Sequence, residues 1–179
     1  AEWRTILLGV ALIVLYTRYL TRSPLLCLLA PGVAFGPVMV LGVYFALTGR
    51  YGLTPALASL VPLFLVSNLL LMNQFPDREA DAAVGRGHLL IRHGPQAGVS
   101  IFGLFLVACY GALGAGVVVG ALPAYALLAL ATVPLAWFVF RGLARHYQVI
   151  PDLIPHMGRN VALCLVTPLL LAVGLVLAR

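Results

Sequence analysis

Three of the five carboxylates in this 179-residue chain fall within five consecutive positions, in the segment Asn73-Gln-Phe-Pro-Asp77-Arg-Glu79-Ala-Asp81. Asn73, Asp77 and Asp81 recur every fourth residue, so on a continuous helix their side chains line one face, turn above turn. Pro76 either bends that helix by removing one hydrogen bond or stands at its first turn. Asp77 and Asp81 stay neighbours in both cases. Two carboxylates and an amide offer oxygen ligands, a donor set suited to a hard cation such as Mg²⁺, which takes its remaining ligands from water and substrate phosphates. That chemistry implies a diphosphate substrate. Arg86, five residues beyond Asp81, and Arg78 or Arg92 could pair with phosphate oxygens that the metal leaves exposed. A plainer reading competes: a polar loop, with Asp77 and Glu79 favourably placed in the first turn of a helix and the arginines serving as topology anchors.

The elements that must position these residues are set by composition. Apolar residues make up 63% of the chain and charged residues 9%, and the mean hydropathy is +1.07. Such a chain belongs in a bilayer, where ionisable groups are costly unless partnered. Apolar runs approaching or reaching the roughly 17 to 25 residues needed to cross a hydrocarbon core cover residues 5–17, 25–47, 55–72, 99–120, 125–140 and 161–178. In lipid the backbone must satisfy its own hydrogen bonds, and no alternating pattern suggests a barrel. The expected fold class is therefore all-α, a polytopic transmembrane bundle of about six helices forming a single domain over residues 1–179.

Charge fixes the expected orientation. The loops on one side carry Arg18, Arg22, Arg78, Arg86, Arg92, Arg141, Arg145 and Arg159, and the other side has Arg4, Arg50 and Arg179. The positive-inside rule puts the Arg-rich side, with the acidic segment, in the cytoplasm. The net charge of +6 reflects topology, and no basic run or interleaved aromatic platform points to nucleic acid. Cys27, Cys109 and Cys164 stand singly in apolar runs and read as small buried hydrophobes. Gly32-x-x-x-Gly36 and Gly116-x-x-x-Gly120 are small-residue faces that let helices approach closely. His146, Asp152 and His156 lie in a stretch bounded by Arg141 and Arg159; a metal site can be drawn there, and a solvated interfacial loop is the favoured reading.

With its continuation, Asn73-x-x-x-Asp77-x-Glu79-x-Asp81-x-x-x-Gly85-Arg86 resembles the second aspartate-rich motif of the UbiA superfamily of intramembrane aromatic prenyltransferases, where Asn-x-x-x-Asp-x-x-x-Asp precedes Gly-Lys/Arg and a short apolar stretch. Leu89-Leu-Ile-Arg92-His-Gly94 fits that stretch. Phe35-Gly-Pro-Val-Met-Val-Leu-Gly42-Val-Tyr-Phe45 is similar to the helix before the motif in the branch that prenylates 1,4-dihydroxy-2-naphthoate for menaquinone. The likeness runs from about Tyr16 to the C-terminus and is most specific over residues 73–94. It departs from the family at His88, where threonine is common, and at Leu20, where a basic residue is expected four positions after a tyrosine matching Tyr16.

The resemblance implies a fold of nine helices around a cavity, with two aspartate-rich motifs binding a prenyl diphosphate through Mg²⁺. Asp77 and Asp81 would bind the metal, Asn73 would assist at metal and diphosphate, Arg86 would neutralise diphosphate charge, and Tyr16 would correspond to a tyrosine at the cytoplasmic end of the fourth helix. The implied activity is transfer of a prenyl group to an aromatic quinone precursor within the inner membrane. This chain holds one such motif after its third span, and it opens without an initiator Met or a signal-peptide cleavage site, so the expectation is a C-terminal two-thirds that could be silent alone. Other acceptors, a catalytically silent bundle and a transporter-like subunit are the alternatives. The spans are essentially uncharged and lack the midplane charge a transporter would place there. The longer aspartate array of a CDP-alcohol phosphotransferase is absent.

Overall fold

The computed structural model describes residues 23–178. The first expected span, Tyr16, Arg18, Arg22 and Arg179 lie outside the described residues. Five helices long and apolar enough to cross a membrane follow one another: α1 (Pro24–Thr48), α2 (Leu53–Ala83), α3 (Leu89–Val118), α4 (Ala124–His146) and α5 (Ile150–Leu177). They answer the five remaining expected runs. The connections are short, so the helices alternate in direction, and residues 84–88 and 147–149 share one end of the bundle with Pro24.

Prolines shape the helices where a missing N–H leaves a gap in the hydrogen-bond ladder. Pro37 sits in a single wide turn of π-helix, Ala34–Val38, inside α1. Pro62 has no N–H to offer the Ala58 carbonyl, and α2 is interrupted one residue later in the chain than that carbonyl, at Ser59. Ahead of Pro95, Gly94 takes φ +80°, and α3 bends there, because the residue before proline is driven out of the helical region. Residues Ala124–Thr132 of α4 wind as a 3₁₀-helix before the α-helix Val133–His146 takes over.

Glycines and polar side chains hold the helices together, as expected where lipid supplies little hydrophobic drive between them. A Cβ at Gly32 would overlap the Leu63 carbonyl and the Ser67 hydroxyl, and one at Gly36 would press on the Ser59 carbonyl. This Gly-x-x-x-Gly pair is thus the seam between α1 and α2. The second such pair serves otherwise: Gly116 packs against Leu122, while Gly120 has φ +72° in the turn after α3. In the core, Asn68 Nδ2 donates to the Phe102 carbonyl at 3.0 Å and Asn160 Nδ2 to the Asn68 carbonyl at 3.5 Å, tying α2 to α3 and α5. Thr167 Oγ1 donates to Thr132 Oγ1 at 2.9 Å, and the Tyr110 hydroxyl lies 2.8 Å from the same atom. These three hydroxyls join α3, α4 and α5. The buried apolar core includes Leu28, Leu65, Leu71, Phe102, Leu113 and Leu163. Leu47, Val107, Leu165 and Leu169 point outward, as helices solvated by lipid require.

The structure corrects the sequence reading at the helix ends. α2 and α4 run on through their charged tails, and α3 and α5 begin about ten residues before their apolar cores. The stretch from Arg141 to Arg159 is therefore no loop: only Tyr147, Gln148 and Val149 separate α4 from α5. Pro151 starts α5 rather than stopping a helix, since a first-turn proline forfeits no bond.

Candidate active site

Pro76 lies inside α2, and the helix continues past it to Ala83. Of the two placements the sequence allowed, the interior one holds. Asn73, Asp77 and Asp81 accordingly share a face, and with Leu70 and Gln74 of the same helix they line a cavity of about 110 Å³ closed by Cys27 of α1 and by Arg86 and His88. Asn73 and Asp77 are exposed at its mouth, and the Asp81 side chain is 13% exposed.

The turn after α2 returns the chain onto Asp81. Gly85 adopts φ +76°, in the left-handed region where a side chain is unfavourable, and the Arg86 N–H donates to the Asp81 carbonyl at 3.0 Å. That reversal brings Arg86 Nη1 to 2.8 Å from Asp81 Oδ1. Two residues on, His88 stands at the N-cap of α3 with its side chain 1% exposed and Nε2 3.3 Å from Asp81 Oδ2. Burial lowers the His88 pKa below its ordinary value; Asp81 opposes this and Arg86 adds to it. The ring is wedged behind Asp81, and neither Nδ1 nor Nε2 has a hydrogen-bond partner. Asp81 thus meets a cation on one oxygen and an imidazole on the other. A carboxylate has about four lone-pair sites, so both contacts leave capacity toward the cavity.

Among the described residues, no group of three or more His, Cys, Asp or Glu side chains forms a ready metal cage. The donor set at the cavity is two carboxylates plus the Asn73 and Gln74 amides. It fits a hard cation that completes its shell with water and phosphate oxygens. Its volume falls well short of the roughly 300 to 1,000 Å³ typical of sites that engulf a small molecule; it suits the charged end of a ligand.

Arg78 turns away and lines a different cavity with Glu79, Pro95 and Tyr147. Arg92 lies on α3 and is not among the residues lining the acidic cavity. Of the three arginines the sequence offered, the structure brings Arg86 to the carboxylates. Two contributors went unassigned by sequence. Gln74 is buried, with Oε1 lacking a hydrogen-bond partner and Nε2 3.7 Å from Cys27 Sγ; its spacing of seven from Asp81 was a usable signal. His88 had no role in the sequence reading, and no local pattern announces its burial.

The described chain is thus a bundle of five apolar helices with an acidic, cation-paired face at one end. The model of the UbiA prenyltransferase family matches residues 3–151, and the chain belongs to that family of intramembrane prenyltransferases. No curated protein and no solved structure matches it.

Proposed function

We propose that this chain carries the diphosphate-binding half of a Mg²⁺-dependent aromatic prenyltransferase, with Asp77 and Asp81 holding the metal. The observation that carries the reading is the convergence of Asn73, Asp77, Asp81 and Arg86 on one small cavity at the end of an apolar bundle. When bound, Mg²⁺ offsets the negative charge that grows on the departing diphosphate. Arg86, already beside Asp81, supplies a second positive charge to the phosphate oxygens. His88 acts as a positioning residue, holding Asp81 in one orientation from behind, as outer partners of metal ligands do. Asn73 contributes its amide oxygen at the exposed edge.

The allylic carbon–oxygen bond then breaks with its electron pair leaving on the diphosphate, and an electron-rich ring carbon of the acceptor forms the new carbon–carbon bond and loses its proton. Water must be kept from the allylic cation. The apolar faces of α1 and α2 above the cavity are suited to that, and to the prenyl tail that a volume of about 110 Å³ leaves outside. On the resemblance over Phe35 to Phe45, the acceptor is a quinone precursor of the dihydroxynaphthoate type, and the acidic end faces the cytoplasm of the inner membrane, where Arg78, Arg86, Arg92, Arg141, Arg145 and Arg159 gather. The resemblance also implies a first aspartate-rich motif opposite Asp77 and Asp81 and a contribution from Tyr16; this sequence holds no second Asn/Asp-x-x-x-Asp segment.

The test is a prenyl-transfer assay in membranes expressing the protein, with a prenyl diphosphate and dihydroxynaphthoate, across a Mg²⁺ titration. Product that depends on Mg²⁺ and disappears in Asp77→Asn and Asp81→Asn supports the reading. Turnover indifferent to both substitutions sinks it.

A further inference from the structure

A second polar pocket lies at the same end of the bundle, between α4 and α5, and the prenyl-transfer reading makes no use of it. Its volume is about 350 Å³, and it is lined by Trp137, Phe138, Arg141, Gly142, Arg145, His146 and His156. The His156 ring packs directly on Gly142, where no side chain could fit, and stacks on His146 at 5.8 Å. Its Nδ1 is buried with no hydrogen-bond partner. The Arg141 guanidinium stands 5.7 Å over the Trp137 ring, and Arg159 lies 4.8 Å over Phe138 just outside. Among the described residues no carboxylate lines this pocket; Asp152, 3.7 Å from His146 Nδ1, is exposed. The lining therefore presents two guanidiniums and two imidazoles to whatever enters. An anion fits.

Trp137 is also a wall of a second space. Between α3 and α4 runs an apolar groove of about 500 Å³, whose lining includes Gly103, Leu106, Gly111, Val133, Trp137 and Phe140. Gly111 leaves it open: a Cβ there would meet nothing within 4 Å. At 1.5 Å per residue the groove runs roughly 12 Å along α3 from Gly103 to Gly111. It leads from the basic end toward the middle of the bundle. Cationic pocket, tryptophan and apolar groove thus follow one another along the membrane normal, the order in which a phospholipid presents phosphate, glycerol and chain. Trp137 stands at the boundary, where tryptophan is favoured at membrane interfaces.

We infer that this face holds one anionic phospholipid, its phosphate among Arg141, Arg145, His146 and His156 and one acyl chain along the groove between α3 and α4. A free phosphate would leave the groove without purpose, and a zwitterionic lipid would bring its own cation to an already cationic pocket. The inference stands apart from the prenyl-transfer reading, since it uses none of Asn73, Asp77, Asp81 or Arg86.

The experiment is native mass spectrometry of the whole protein released from detergent after exchange with phosphatidylglycerol or phosphatidylcholine of the same chains. Wild type should retain phosphatidylglycerol over phosphatidylcholine by about tenfold, and Arg141→Gln with Arg145→Gln should erase that preference, as loss of two surface cations predicts. Gly111→Phe, which plugs the groove and leaves every cation in place, should weaken retention of both lipids, with an unchanged helical circular-dichroism spectrum showing that the bundle is intact. Equal retention of the two lipids by wild type overturns the inference. So does displacement by millimolar inorganic phosphate, which would mark a free-anion site, or by a prenyl diphosphate with Mg²⁺, which would mark a substrate site.

Discussion

Two corners of this bundle share one end and solve opposite electrostatic problems. The acidic cavity at the corner of α2 and α3 is lined, among the described residues, by two carboxylates and one arginine, held 2.8 Å from Asp81. The corner of α4 and α5 gathers arginines and histidines, rests them on aromatic rings, and keeps its one carboxylate at the edge. The first is small and shaped from within by a buried histidine; the second is larger and open toward an apolar groove. A tightly packed acidic corner is suited to gripping a cation and the charged end of a substrate. A cationic corner stacked on aromatic rings is suited to an anion that arrives with a hydrocarbon tail.

The contrast can be broken at either corner. The largest effect is expected from Asp81→Asn, which should cut Mg²⁺-dependent prenyl transfer by at least about 100-fold, the scale on which removal of one charge-stabilising group costs turnover. It should leave phospholipid retention at α4 and α5 untouched, and a loss of both would mean that the corners are coupled. His88→Ala comes next. Without its buried neighbour Asp81 is held on one oxygen only, by Arg86, and apparent Mg²⁺ affinity in the transfer assay should weaken by about 10 to 100-fold, with the maximal rate less affected. An unchanged Mg²⁺ dependence would leave His88 as packing.

Gly32→Leu should act through the scaffold. Forcing a side chain between α1 and α2 should cost about 1 to 3 kcal/mol, read as a lowered melting temperature in detergent. Because Cys27 of α1 closes the acidic cavity, the Mg²⁺-dependent activity should fall while lipid retention stays. The smallest effect is expected of Arg50→Gln, at the opposite end of the bundle, which should leave both readouts within about twofold, as surface substitutions usually do.

Much of this was legible in the sequence, for identifiable reasons. Apolar runs mark the helices because lipid permits little else, and the fourfold spacing of Asn73, Asp77 and Asp81 gives a shared face whenever the segment is helical. The helix ends were not legible. Charged residues from Asp77 to Asp81 and from Arg141 to His146 break the hydropathy pattern without breaking the helix, since the backbone ladder is indifferent to whether its side chains meet lipid or water. Pro76 was ambiguous between helix start and helix interior, and the helix runs through it. His88 is buried because the Gly85 turn folds it under Asp81, a contact between elements that no spacing rule reports. The basic pocket was hidden for the same reason: Arg141 and His156 are fifteen positions apart and meet through the packing of α4 on α5.

The 3₁₀ winding of Ala124–Thr132 bears on how the basic corner is delivered to its depth. α4 is the shortest of the five crossings, at 23 residues, and a 3₁₀-helix rises about 2.0 Å per residue against 1.5 Å for an α-helix. Nine residues wound this way lengthen the rod by about 4 Å. Thr132, at the changeover, is fastened to Tyr110 and Thr167, so the extra length is locked in place rather than free to recoil. The 3₁₀ winding in the first half of α4 thus serves as a spacer. Were it to relax into ordinary α-helix, Arg141 and Arg145 would be drawn most of a helical turn toward the hydrocarbon, and the headgroup pocket would sink below the headgroups.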